Sequence, residues 1–220
     1  ITEIYKKMNK LSHEKLAKEL ALLAPTGRAS KRMSESTNLK ASTIHRFLKW
    51  NKENNTFGVN EFNKTKEELI IVDEVSMIDI SLLSSLFKGL TNNIKLILVG
   101  DYNQLPSVGI GQILKDLIES EIINTINLNY LYRQSNESYI PILADEIKND
   151  NLSDDFLATK DDYTFLNCNR ISIVKNIKEL SKTLIEKGYD YKKVQIMAPM
   201  YAAAYALILF IFEIVRKRKR

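Results

Sequence analysis

The 220-residue sequence is poor in the residues that announce a special class of protein: one cysteine, one tryptophan, two histidines, four prolines and seven glycines. A single cysteine, Cys168, closes off an intrachain disulfide, and no Cys/His group has zinc-site spacing. So few glycines and prolines exclude collagen-like and linker-dominated chains. Residues 1–18 are lysine-rich and amphipathic and do not read as a secretory leader. The longest apolar run, residues 202–211, reaches on through Glu213 to Val215. That is short of the roughly 17–25 residues a membrane helix needs. The expectation is a cytoplasmic protein with no membrane partner. A surplus of positive charge is also missing from most of the chain. The net charge is +5, yet residues 216–220 are all basic, so residues 1–215 hold 27 basic against 27 acidic groups. A body built to coat nucleic acid with charge is therefore excluded, and any such contact must come from local placement of side chains. One motif is absent as well: the phosphate loop G-x-x-x-x-G-K-[ST] occurs nowhere.

What is present is an alternation of apolar runs with helical patterns, the mark of an α/β domain with a mainly parallel sheet flanked by helices. Strands are expected at residues 20–24, 69–73, 94–100, 125–131, 163–167 and 194–198. The runs Leu-Ile-Ile-Val before Asp73 and Leu-Ile-Leu-Val before Gly100 are unbroken, as in strands covered on both faces. The spacings Ile1, Ile4, Tyr5, Met8, Leu11 and Leu83, Leu86, Phe87, Leu90 predict helices. So do Ile140, Leu143, Ala144, Ile147 and Ile173, Ile177, Leu180, Leu184, with two shorter helices starting near Gly27 and Ser42. Residues 51–63 are polar, with Asn54-Asn55 between short strand-like segments, and predict a small inserted hairpin. Residues 149–161 read as a junction between a first domain over 1–148 and the start of a second over 149–201. Residues 202–220 form an apolar and basic tail.

Chemistry concentrates where strands are expected to end. Asp73-Glu74 closes a buried strand, the place where open α/β sheets put ligands. In a nucleotide hydrolase the first carboxylate holds Mg²⁺ and the second acts as general base; the bland alternative is two solvated carboxylates. After the strand ending at Gly100, a loop carries Gln104, a neutral amide able to orient a water or touch a γ-phosphate; a Gly-Asp turn is also commonplace. Pro25-Thr26-Gly27-Arg28 runs from a strand into a helix N-terminus. That suits a phosphate, and a sugar-phosphate backbone better than a nucleoside triphosphate; a capped helix with a surface arginine fits equally. Thr43 and His45 lie beside an apolar helix face, where a lone histidine is more often structural. Arg133 could serve as an arginine finger or as a surface ion-pair partner. His13 and Trp50 carry no signal beyond packing or exposure.

In order, LLAPTGRAS, STIHRFL, IIVDEVSMID, LILVGDYNQLPSVGIGQILKDLI and LNYLYRQS resemble the RecD-type superfamily 1 DNA helicases, over roughly residues 1–200. Conjugative relaxase-helicases and Pif1-type helicases share that layout. The resemblance implies a RecA-like P-loop NTPase domain plus the start of a second, binding ATP and Mg²⁺ at the sheet edge. Single-stranded or double-stranded DNA would be the partner, and other nuclease-helicase subunits are further candidates. It implies Asp73 as metal ligand, Glu74 as general base, Gln104 as γ-phosphate sensor and Arg133 as a γ-phosphate contact. Pro25, Thr26, Gly27, Arg28, Thr43 and His45 would lie on the DNA path, and the hairpin where such helicases carry a strand-separating pin. It further implies 5′-to-3′ movement, a role in recombination or repair, and a chain incomplete at both ends, because the phosphate loop would precede Ile1. Such a piece alone is expected to bind ATP weakly and hydrolyse it negligibly. The alternative from another class is a catalytically inactive DNA-binding or scaffolding module on the same fold.

Overall fold

The computed structural model describes residues 1–128, 138–169 and 172–190. Contacts divide the chain into two compact units, residues 1–130 and 131–220. In the first, α1 (Thr2–Met8) and α2 (His13–Glu19) lead into β1 (Leu20–Ala24). Next, α3 (Gly27–Thr37) returns the chain to β2 (Ala41–Thr43), and α4 (Ile44–Phe47) follows directly. Strands β3 (Trp50–Asn51) and β4 (Thr56–Phe57) form a separate antiparallel ribbon. The chain re-enters the main sheet with β5 (Leu69–Val72), crosses through α5 (Ile80–Gly89) to β6 (Lys95–Leu98), and continues to α6 (Ile113–Glu119). The main sheet has the order β2-β1-β5-β6, and every pairing in it is parallel.

Strand alternation sorts the apolar runs onto two cores. Ala21 and Leu23 of β1 and Ile70 and Val72 of β5 face a core shared with Ile44, Leu48, Val75, Leu83, Leu86 and Leu114. Leu20, Leu22, Leu69 and Ile71 face the opposite core, with Leu16 and Leu39. Successive side chains of a strand point to opposite faces, so a strand covered on both sides needs an apolar residue at every position. That is why all nine residues of β1 and β5 are buried. The parallel α/β class expected from the sequence is the class observed.

Several local expectations need correction. The first helix stops at Met8, because Lys10 adopts a left-handed φ of 51° before a second helix begins behind the Ser12 cap. Neither α2 nor α6 stands out in the sequence, and β2 has only three residues, too few for a pattern. Residues 125–128 are irregular and exposed, and the rest of the strand expected there lies outside the described residues. The expected strand at 194–198 and the tail at 202–220 lie outside them too.

In the second unit, α7 (Ile140–Lys148) and α8 (Ile173–Glu186) are the long elements, with a 3-10 turn at Asp154–Leu157 between them. The strand expected at 163–167 does not form. Its aromatic residues pack on other rings instead, Tyr163 against Tyr139 with centroids 5.4 Å apart and Phe165 against Phe156 at 5.1 Å. Just before α7, Ser138 Oγ donates to Asp162 Oδ2 at 2.5 Å and the Tyr139 N–H to Oδ1 at 3.2 Å. The serine bond holds the Asp162 carboxyl below the usual range.

Candidate functional site

Because the four strands are parallel, the residues that follow them emerge along one edge. The register places Thr43 opposite Ala24, Val72 opposite Leu23, and Leu98 opposite Val72. Pairing continues beyond the strands. The Asp73 N–H donates to the Leu23 carbonyl at 2.9 Å, Val99 to Val72 at 2.8 Å and Val75 to Val99 at 3.0 Å. These bonds fasten the Asp73–Val75 turn to both neighbouring strand ends.

Asp73 and Glu74 are half-buried at the end of β5. Glu74 sits at φ 55° and ψ 42°, a left-handed conformation uncommon outside glycine and concentrated at functional sites. Its N–H donates to Asp73 Oδ1 at 2.9 Å. Immediately afterwards the side chain of Val75 is fully buried in the core. The turn is thus held on one side by the sheet and on the other by packing, and the two carboxylates stand between. Among the described residues neither is ion-paired. Ser76 Oγ is buried with no hydrogen-bond partner among the described residues. Unpaired carboxylate oxygens are the donors a hard divalent cation such as Mg²⁺ takes, so the residues present fit one.

Gly100 makes the second approach to this turn. A Cβ there would lie 2.9 Å from Leu114 Cδ2, 3.1 Å from the Val75 nitrogen and 3.3 Å from the Ser76 nitrogen. Only a hydrogen at this position lets the exit from β6 pass so close to the acidic turn.

On the other half of the edge, Thr26 caps α3, its Oγ1 accepting from the Ala29 N–H at 3.2 Å. Thr43 caps α4 in the same way, accepting from Arg46 at 3.3 Å. Two adjacent strands therefore end in the same device, a threonine turning the chain into a helix. Pro25 and Thr26 are half-buried, while Gly27, Arg28 and His45 are exposed. The His45 ring stands edge-on to Trp50 at 6.1 Å and tilted against Phe57 at 5.9 Å.

The edge thus gathers Thr26, Thr43, Asp73, Glu74 and Gly100. Gln104 lies beyond them in an exposed turn, where its N–H donates to the Asp101 carbonyl at 3.1 Å. No described hydrogen bond joins its side chain to the acidic pair. Arg133 lies outside the described residues. Three features escape a reading of the sequence: the left-handed Glu74, the buried Ser76 hydroxyl, and the Trp50–Phe57 pair. Only the last had a signal, since pairing across the Asn-rich turn brings those two residues opposite one another.

An α/β domain with acidic and hydroxyl groups along one parallel-strand edge holds them where open α/β sheets bind ligands. Residues 1–110 match the model of the AAA domain family, AAA_19. The chain belongs to that family. It is similar to the ATP-dependent RecD2 DNA helicase of Deinococcus radiodurans, with 39% identity over 122 residues, 56% of this chain and 16% of that protein. It is also similar to the RecBCD enzyme subunit RecD of Buchnera aphidicola subsp. Schizaphis graminum, with 27% identity over 79% of this chain and 34% of the relative. Among solved structures it is similar to a Pif1 helicase from Bacteroides in complex with ADP-AlF3 and ssDNA, at 19% identity and a TM-score of 0.45. That match covers 86% of this chain and 51% of the other. The chain therefore spans only 16% and 34% of the length of those two relatives. Among the described residues no helix is long and apolar enough to cross a membrane.

Proposed function

We propose that this chain is part of an ATP-dependent DNA helicase motor, most of its first motor domain and the start of the second, and that the motor moves 5′ to 3′ on single-stranded DNA and opens duplexes during recombination or repair. The observation that supports this reading best is the single sheet edge. The acidic turn follows β5, and two threonine-capped helix starts follow β1 and β2 of the same parallel sheet. In this reading Asp73 and Glu74 face Mg-ATP. Glu74 accepts the proton of the attacking water at a carboxylate oxygen, and its fixed turn keeps that oxygen oriented. Gln104 orients the water or the γ-phosphate with a neutral amide, and Arg133 offsets the charge that develops there. Asp73 would hold Mg²⁺, which would supply charge neutralisation on the phosphates. Pro25, Thr26, Gly27 and Arg28 hold the DNA backbone, with Thr43 and His45 beside them. Residues 149–201 begin a second motor domain, and partner subunits of a nuclease complex are candidates for association.

The test is Glu74→Gln in the intact protein. Turnover of ATP in the presence of DNA should fall by about 10²–10⁴-fold, the usual worth of a general base, with nucleotide binding retained. Undiminished turnover removes Glu74 from that role and with it the proposed hydrolytic centre.

A further inference from the structure

The acidic turn carries one polar atom that the hydrolytic reading leaves idle. Ser76 Oγ, two residues beyond Glu74, is buried and has no hydrogen-bond partner among the described residues. Other serines near the sheet behave differently. Ser30, Ser34 and Ser85 each donate to a carbonyl of their own helix, at 3.0, 3.1 and 2.8 Å. A hydroxyl withdrawn from water without a partner destabilises a fold. Buried polar atoms are nearly always hydrogen-bonded, so the exception at Ser76 calls for an account.

The backbone of Ser76 is held by the same bonds that hold the acidic pair. Val75 before it and Ile78 after it are buried in the core. The Met77 N–H donates to the Glu74 carbonyl at 3.1 Å and Ile78 to Val75 at 3.0 Å, which winds Val75–Met77 into a 3-10 turn. From the other side, a Cβ on Gly100 would lie 3.3 Å from the Ser76 nitrogen, so the exit from β6 packs directly on this residue. Asp73 Oδ1 is already engaged by the Glu74 N–H at 2.9 Å. No described hydrogen bond or ion pair takes Asp73 Oδ2 or the Glu74 carboxylate. One fixed turn thus offers free carboxylate oxygens and, two residues on, a neutral hydroxyl without a partner.

Mg²⁺ dehydrates reluctantly and keeps several waters when carboxylates and phosphates bind it. Those waters are donors, and the groups that receive their hydrogen bonds orient the ion and tune its affinity. A hydroxyl can accept such a bond without adding negative charge beside two carboxylates and a polyphosphate. We infer that Ser76 is a positioning residue for Mg²⁺: its Oγ accepts a hydrogen bond from a water of the ion's hydration shell, with Asp73 as the direct ligand. The inference rests on the Mg-ATP reading of Asp73 and Glu74 above and adds a contact that reading lacked.

The test separates metal from nucleotide in the intact protein. Binding of a fluorescent methylanthraniloyl-ADP is measured first in EDTA and then against rising MgCl₂. For Ser76→Ala, the Mg²⁺ concentration that gives half of the metal-dependent gain should rise about tenfold, while affinity in EDTA stays unchanged. The urea midpoint of the unliganded variant should equal or exceed that of the unaltered protein, because no hydrogen bond is lost. Ser76→Cys keeps nearly the same volume but offers only a weak hydrogen-bonding sulfur, so it should behave as Ser76→Ala does. An unchanged Mg²⁺ requirement in both variants overturns the inference. So does an equal loss of affinity with and without Mg²⁺, or nucleotide binding by the unaltered protein that does not respond to Mg²⁺. A lowered urea midpoint without ligand overturns it as well, since the hydroxyl would then already have a partner. A failed Glu74→Gln test with a Ser76-dependent Mg²⁺ response sinks the general-base assignment alone. An unchanged Mg²⁺ requirement with Glu74-dependent turnover sinks only the role of Ser76.

Discussion

The two halves of the sheet edge start from the same geometry and end with opposite character. On the β5–β6 half the chain leaves the strands into a turn welded by backbone hydrogen bonds to both neighbours, with a fully buried valine directly behind the acidic pair. On the β2–β1 half it leaves through threonine caps into helices, and the ribbon beyond β2 carries exposed cations and rings. Rigid backbone with negative charge suits a small, highly charged ligand that must be held to a fraction of an ångström. An exposed, positively charged and aromatic surface suits a long polymer that must be gripped and released. Charge sign and burial, rather than fold, separate the two halves.

The largest expected effect tests what the halves share. Ile70 lies fully buried in β5, at the centre of the main core. Ile70→Ala should cost about 2–5 kcal/mol of unfolding free energy in urea, and nucleotide and nucleic-acid binding should weaken together. Loss of one without the other would mean that the halves do not depend on a common sheet. The next effect falls on one half only. Gly100→Ala forces a Cβ against Leu114 and the Val75–Ser76 backbone, at a cost of about 1–3 kcal/mol. It should weaken nucleotide binding and leave oligo-dT binding intact. An equal loss of both would show that the β6 exit supports the whole edge. The smallest effect is on the opposite half. Thr43→Ala removes the cap of α4 and should cost about 1 kcal/mol, with Thr43→Ser recovering most of it. Oligo-dT affinity should fall slightly as His45 loosens, while nucleotide affinity stays unchanged.

Legibility in the sequence follows the same division. The strands β1 and β5 could be read directly, because burial on both faces demands unbroken apolar runs such as LALLA and LIIV. The acidic pair could be read as well, since it follows such a run without a gap. Strand β2 could not, because three half-buried residues make no pattern. Tyr163 to Asn167 misled, because aromatic residues suit strands and ring clusters equally well, and only the neighbours decide. Trp50 looked uninformative as a lone residue. Its ring contacts arise from Phe57 opposite and His45 beside it, neither of which is adjacent in sequence.

By itself, then, the sequence determined which segments are core and which carry charge, since hydrophobic periodicity and residue type act locally. It also determined that the body has no overall basic charge. Only the tertiary structure decided that Thr26, Thr43, Asp73 and Gly100 share an edge, because strand order and register arise from contacts between distant segments. It likewise decided which exposed cations stand together on one ribbon. Neutrality is a sum over residues, whereas the field a ligand meets depends on which residues lie side by side.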